Sequence, residues 1–225
     1  MPAVALLDVS EDVLEHLLEL ALRDADADEV TPPLGTTAGW NTDRISWFRE
    51  FHRAAAAGLD GPAGQKTWAI SCDGQMAGSV RLRRMDPEPA AADEGWAGGG
   101  AGAVGAAGAG PGGGGAGPGG GAGAVAGGGG YAGPSDGAEA GAGGGRALET
   151  GIWLARSFRG RGVGREALRL VKARAASAGA AVLVAETTAG NVGALALLKY
   201  AGAELVTGAA SQTHTVPVIA KIPLR

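Results

Sequence analysis

The chain has 225 residues, with 43 Gly, 11 Pro, one Cys, and 19 Lys+Arg against 23 Asp+Glu. Residues 97–145 hold 26 of the glycines and 14 alanines, and the other 176 residues have an ordinary composition that suits one globular domain. The glycines follow no strict triplet, Cys72 has no disulfide partner, and no apolar run approaches the ~18 residues that span a bilayer, so collagen, a disulfide scaffold and a membrane span are excluded. The start places a five-residue apolar run, Ala3–Leu7, before acids with no basic segment ahead of it. That is not a secretory signal, and a cytoplasmic protein is expected.

The net charge of −4 hides an asymmetry. Residues 1–96 carry 8 basic and 17 acidic side chains, and residues 146–225 carry 11 basic and 4 acidic. Two explanations stay open: the halves pair with each other, or the basic half holds a polyanion while the acidic half receives a cation. No basic run is interleaved with aromatics, so nucleic acid is not an expected partner.

In chain order, residues 3–7 read as a short strand. Ser10 is an N-cap with Glu11 and Asp12 in the first turn, and Val13, Leu14, Leu17, Leu18 and Ala21 form a helical stripe. Residues 24–35 read as an acid-rich loop. Asn41 or Thr42 caps a second helix with Ile45, Phe48, Phe51, His52 and Ala55 on one face. Residues 67–72 and 76–83 flank Asp73-Gly74, a strong hairpin signal. The Gly/Ala tract at 97–145 offers few side chains to bury, and glycine loses the most entropy on ordering, so a disordered expansion between two strands is expected. Beyond it come a strand at 147–155, a Gly-rich turn, a helix at 163–178, a strand at 181–186, a helix at 192–200, and a strand pair at 203–207 and 215–222. The expected class is α+β in one domain, 1–225, interrupted by the insert.

The informative chemistry begins at Glu149. A strand runs through Trp153 and Leu154 into a turn with Gly160, Gly162 and Gly164, and a helix follows at once. Glycines there let backbone N–H groups approach a phosphate, and the helix N-terminus adds unpaired donors and partial positive charge. The turn is neither a Walker A loop nor a dinucleotide fingerprint: no Gly-Lys-Ser/Thr follows, and the last Gly of the latter would fall at Arg165. His16, His52 and His214 are scattered, and no metal or serine-nucleophile motif occurs.

Arg159-x-x-Gly162-x-Gly164 resembles the Arg/Gln-x-x-Gly-x-Gly/Ala loop of the GNAT superfamily of acetyl-CoA-dependent N-acetyltransferases. Asn191-x-x-Ala194-Leu195-x-Leu197-Leu198-x-x-x-Gly202-Ala203 resembles the family's Asn-x-x-Ala-x-x-Leu-Tyr-x-x-x-Gly-Phe. The element order also matches, and Glu149-x-Gly151-x-Trp153-Leu154 looks most like the ribosomal-protein and aminoglycoside acetyltransferase branch. The resemblance implies a splayed mixed sheet flanked by helices, with acetyl-CoA wedged between the strands at 147–155 and 181–186.

It also implies roles. The backbone of Leu154 and Ala155 would pair with the pantetheine arm. The amides of Arg159, Gly160, Arg161, Gly162, Val163, Gly164 and Arg165 would hold the pyrophosphate. Arg161, Arg165 and Arg169 either reach the outer phosphate or form a solvated basic face. Asn191 would contact the pantetheine region or only cap its helix. Glu149 matches a proposed general base, with Glu186 in reserve. Trp40, Trp47, Phe48, Phe51 and His52 would line the acceptor side or pack the core, and the acidic half would line the amine side. The acceptor would be an amine-bearing substrate, and the protein a monomer or homodimer. Two positions depart from the family: its Tyr, often the general acid, is Leu198, and its final Phe is Ala203. These leave a non-catalytic acetyl-CoA binder as the alternative.

Overall fold

A computed structural model of the chain describes residues 2–34, 39–85, 146–209 and 216–224. The Gly/Ala insert at 97–145 lies outside the described residues. The elements are β1 (Val4–Asp8), α1 (Glu11–Asp24), α2 (Ala27–Val30), α3 (Thr42–Ala54), β2 (Gln65–Cys72), β3 (Gln75–Arg84), β4 (Arg146–Leu154), α4 (Val163–Ser177), β5 (Ala180–Thr188), α5 (Val192–Tyr200), β6 (Glu204–Thr207) and β7 (Pro217–Pro223). All described residues belong to one compact unit.

Capping chemistry explains where the helices start. Ser10 Oγ accepts from Val13 N–H at 3.3 Å, and α1 then buries Leu14, Leu17, Leu18, Leu20 and Ala21. Asn41 accepts from Arg44 N–H at 2.9 Å and starts α3, which buries Phe48 and His52. The segment 24–35, read as loop, contains one helical turn, α2. It closes when Thr31 N–H donates to the Ala27 carbonyl at 2.8 Å, a single bond too local for side-chain periodicity to signal.

The strands form one seven-stranded sheet in the order β1-β2-β3-β4-β5-β7-β6, antiparallel except for the β4–β5 pair. The β2–β3 hairpin turns through Asp73 (φ 49°) and Gly74 (φ 80°), the backbone that Asp-Gly favours between strands. Asp73 also accepts from Ala3 N–H at 2.9 Å and donates its own N–H to the Ala3 carbonyl at 2.9 Å, which ties β1 to the hairpin. One core joins α1, α4 and the sheet, including Leu17, Ile70, Leu82, Val171, Leu183 and Ile222.

Two features of β4 set up the site. Its β3 edge is closed down to its end: Gly78 lies opposite Leu154, and a Cβ at Gly78 would come 2.0 Å from the Trp153 carbonyl oxygen. Only glycine permits that approach at φ 152°. Its β5 edge opens early. Pairing with β5 ends at Thr150–Ala185, while β4 runs on to Leu154 and β5 to Thr188. The sheet is therefore the splayed mixed sheet expected.

Candidate active site

Past Thr150, no strand among the described residues pairs with the outer edge of β4. Ala155 N–H donates to the Ala77 carbonyl at 2.9 Å. Backbone groups alternate between the two edges of a strand, so Ile152 and Leu154 face the open side. The reading of Ala155 as a backbone partner for the arm is thereby corrected for its N–H, which is engaged by β3. The Leu154 carbonyl accepts from Arg159 Nε at 2.8 Å. Thr187 Oγ1 is buried without a partner among the described residues, on the part of β5 that has left β4.

The turn after β4 behaves as its glycines suggest. Gly160 (φ 72°) and Gly162 (φ 84°) adopt left-handed backbone, and a Cβ on either would meet no atom within 4 Å, so the space before α4 is open. Gly164 differs. Its Cβ would contact Leu154 Cδ1 at 3.4 Å and Leu197 Cδ2 at 3.5 Å, so this glycine packs α4 against β4 and α5. α4 has no side-chain cap at Gly162, whereas Ser10, Asn41 and Asn191 cap α1, α3 and α5. The first amides of α4, Val163 to Arg165, therefore keep unpaired donors.

The loop's arginines sort by partner. Arg156 pairs with Asp26 at 3.0 Å and Arg159 with Glu29 at 3.0 Å. Arg169 pairs with Glu166 on α4 at 2.5 Å, which leaves it less suited to an outer phosphate. Arg161 donates to the Ser157 carbonyl at 3.3 Å and lies over Phe158, while Arg165 lies 4.4 Å above the Tyr200 ring. Asn191 accepts from Ala194 N–H at 3.0 Å as the cap of α5. Leu198 is buried in the core, and Tyr200 is 66% exposed against Arg165, so it does not replace the family's Tyr.

A second hollow lies against β3 and β4. It is partly open to solvent and is bounded by Glu29 and Val30, by Trp47, Phe48, Phe51 and His52 of α3, and by residues of β2, β3 and β4. Registers place Thr67, Arg81 and Gly151 side by side, with Ser79 beside Trp153 and Arg83 beside Glu149, so these share one face. Glu149 is held there by the guanidiniums of Arg81 and Arg83. His52 is 3% exposed, its Nδ1 lies 3.0 Å from Thr67 Oγ1, and burial lowers its pKa to about 4, so the ring is neutral at pH 7. Trp47 stacks on Phe51 at 4.8 Å. Trp40 instead donates its indole N–H to the Ala25 carbonyl at 3.1 Å and meets Phe48 edge-on.

Sequence reasoning missed three polar wall residues, Thr67, Ser79 and Arg81. The strand alternation of 67–72 and 76–83 held their facing, but no local signal said what the face would meet. Glu186, the reserve base, is exposed on β5 beyond its last pairing with β4. The acidic segment does not present free charge to the hollow: Asp26, Asp28 and Glu29 pair with Arg156, Arg44 and Arg159. Of the two explanations for the charge asymmetry, pairing between the halves accounts for Asp26 and Glu29, while Asp28 pairs within the first half.

The family model described as the acetyltransferase (GNAT) family matches residues 119–203. No curated protein matches the chain by sequence. Among solved structures, the ribosomal-protein α-N-acetyltransferase RimL in complex with coenzyme A aligns with TM-score 0.57 at 12% identity, covering 98% of this chain and 93% of that one. An N-acetyltransferase from Staphylococcus aureus aligns with TM-score 0.52 at 15% identity over 99% of both chains. The microcin self-immunity acetyltransferase MccE, solved with acetyl-CoA and AMP, aligns with TM-score 0.55 at 13% identity, covering 98% and 92%. At such identities the structures speak to the fold, and the family model speaks to the chain itself. With the parted strands and the glycine turn before an uncapped helix, they agree on a GNAT-like fold, and residues 119–203 are similar to the acetyltransferase (GNAT) family.

Proposed function

We propose that the protein transfers the acetyl group of acetyl-CoA to a primary amine. The observation that carries this reading is the loss of β4–β5 pairing after Thr150, directly before the open glycine turn and the uncapped start of α4. The residues present fit the cofactor. Ile152 and Leu154 offer backbone to the pantetheine arm. The amides from Arg159 to Arg165 line a cradle that a Cβ at Gly160 or Gly162 would enter, and oriented amides at a helix start favour a pyrophosphate. Acetyl-CoA, when bound, supplies the activated thioester.

The acceptor amine approaches from the aromatic hollow. A primary amine of pKa about 10.4 is protonated at pH 7, and neutralising it costs roughly 4.6 kcal/mol. Glu149 lies on the hollow's face of β4, two residues from Gly151, where it takes that proton directly or through a water. Arg81 and Arg83 fix its carboxylate in place. No tyrosine stands at Leu198 to protonate the leaving sulfur. A thiol of pKa about 8.5 departs adequately as thiolate, so the step proceeds without one.

A second reading, a non-catalytic acetyl-CoA binder of the same fold, draws on two observations: Leu198 is buried, and Glu149 is held by two guanidiniums. Calorimetry with acetyl-CoA alongside thiol release with amines separates the two. Saturable binding plus amine-dependent thiol release supports the transferase. Binding without release on any amine supports the binder, and absence of binding removes both.

A further inference from the structure

The hollow beside β4 has a chemical character that narrows the acceptor. We infer that it takes an aromatic α-aminoacyl group, a primary amine next to a carbonyl oxygen and a flat side chain, and that it rejects polycationic amines. The inference rests on the acetyl-transfer reading above and names the acceptor class of that same site.

Shape comes first. Trp47, Phe48 and Phe51 from α3 and Trp153 from β4 bound the hollow, and Trp47 and Phe51 lie nearly parallel, 19° apart. Offset stacking and edge contacts between rings give such a wall a preference for flat apolar groups.

Charge comes second. A polyamine or aminoglycoside needs carboxylates free to meet its several ammonium groups. Glu29 in the wall is paired with Arg159, and Glu149 on the same face with Arg81 and Arg83. Three guanidiniums thus stand against two carboxylates. His52 adds no charge at pH 7, because burial keeps it neutral. A second or third ammonium would meet a balance that is already positive.

Unmet hydrogen bonds come third. Arg81 Nε and Trp153 Nε1 are buried and have no partner among the described residues, and both residues line the hollow. Each residue is at least nine-tenths buried. Both groups donate only, so what completes them must bring an oxygen lone pair. A carbonyl or carboxylate beside the reacting amine supplies one, and an amine without such an oxygen leaves the donors unmet, which sites of this kind discriminate against.

The test is a thiol-release assay at saturating acetyl-CoA with L-tryptophan, L-tryptophanamide, a tryptophan-initiated pentapeptide, tryptamine, spermidine and kanamycin. The first three distinguish a free amino acid from an aminoacyl terminus as the source of the shared group. The expected result is a kcat/KM for the best of these three that exceeds spermidine and kanamycin by about 100-fold, and tryptamine, which lacks the oxygen, by about tenfold. Phe51→Ala should raise the KM for that acceptor by about tenfold while acetyl-CoA affinity stays unchanged. Spermidine or kanamycin performing as well as the tryptophan compounds overturns the inference, and so does tryptamine matching them. Acetyl-CoA binding with no turnover of any tryptophan compound overturns it too and leaves the cofactor site standing. Failure to bind acetyl-CoA removes the transfer reading, and this inference with it.

Discussion

The two sides of β4 are built by different means. The proposed cofactor side is contiguous: a strand edge that has parted from β5, a glycine turn and the start of α4 follow one another between Gly151 and Arg165, and backbone would do most of the binding. The proposed acceptor side is assembled from α2, α3, β2, β3 and β4, with side chains from Glu29 to Trp153 in place of backbone. The comparison teaches that a ligand common to many enzymes can be held by backbone in one stretch, whereas a particular acceptor needs side chains gathered from afar. Substitutions on one side should therefore leave the other side's ligand alone.

Gly78 tests the closed edge on which both sides depend. Gly78→Ala drives a Cβ into the Trp153 carbonyl, and a loss of at least ~3 kcal/mol is expected, read by urea denaturation. A variant of wild-type stability would show that β4 is not fixed there.

His52 tests the acceptor side. Its pKa is about 4 folded against 6.5 unfolded, so below pH 6.5 the unfolded chain binds a proton that the fold refuses. The stability this group contributes is complete above pH 6.5 and is lost as pH falls towards 4. Between pH 7 and pH 4.5 that loss is about 2–3 kcal/mol. His52→Gln should remove this component of the acid dependence, and an unchanged slope in the variant would contradict it.

Glu149 tests the chemistry between the two sides. Glu149→Gln is expected to lower kcat by about 100-fold with acetyl-CoA affinity near wild type, and the deficit should shrink as pH rises and the free amine becomes abundant. The variant also leaves Arg81 without its anion, so its stability must be measured beside its rate. A folded variant with near-normal kcat at pH 7 would move the search for the base to Glu186 or a water.

The smallest effect is expected at the insert. Arg84 at the end of β3 lies near the start of β4, where it pairs with Leu148, so a short turn can replace residues 97–145. The melting temperature should stay equal or rise, because loop closure costs less for a shorter loop. A fall of several degrees would show that the insert contributes to stability.

What the sequence revealed follows the same division. The glycine turn, the caps Ser10, Asn41 and Asn191, and the Asp73-Gly74 hairpin are local, and a local backbone requirement leaves a residue in a fixed place. The strand boundaries were legible because their alternation is local too. Arg81 was not legible as the partner of Glu149, because 68 residues separate them and only the sheet register brings them together. The partners of Asp26 and Glu29 were hidden for the same reason: Arg156 and Arg159 lie 130 residues away. Gly164 looked like its neighbours in the turn, and only the packing of Leu154 and Leu197 around it sets it apart.

The most direct test of the division is a calorimetric titration of acetyl-CoA into wild type, Gly162→Val and Phe51→Ala. Valine at Gly162 adds a side chain to the open cradle and forces left-handed backbone at a cost of roughly 1–2 kcal/mol. The account predicts that Gly162→Val weakens binding at least about tenfold, the equivalent of ~1.4 kcal/mol, while Phe51→Ala stays within about twofold of wild type. Unchanged affinity in a folded Gly162→Val protein, or equal losses in both variants, would contradict it.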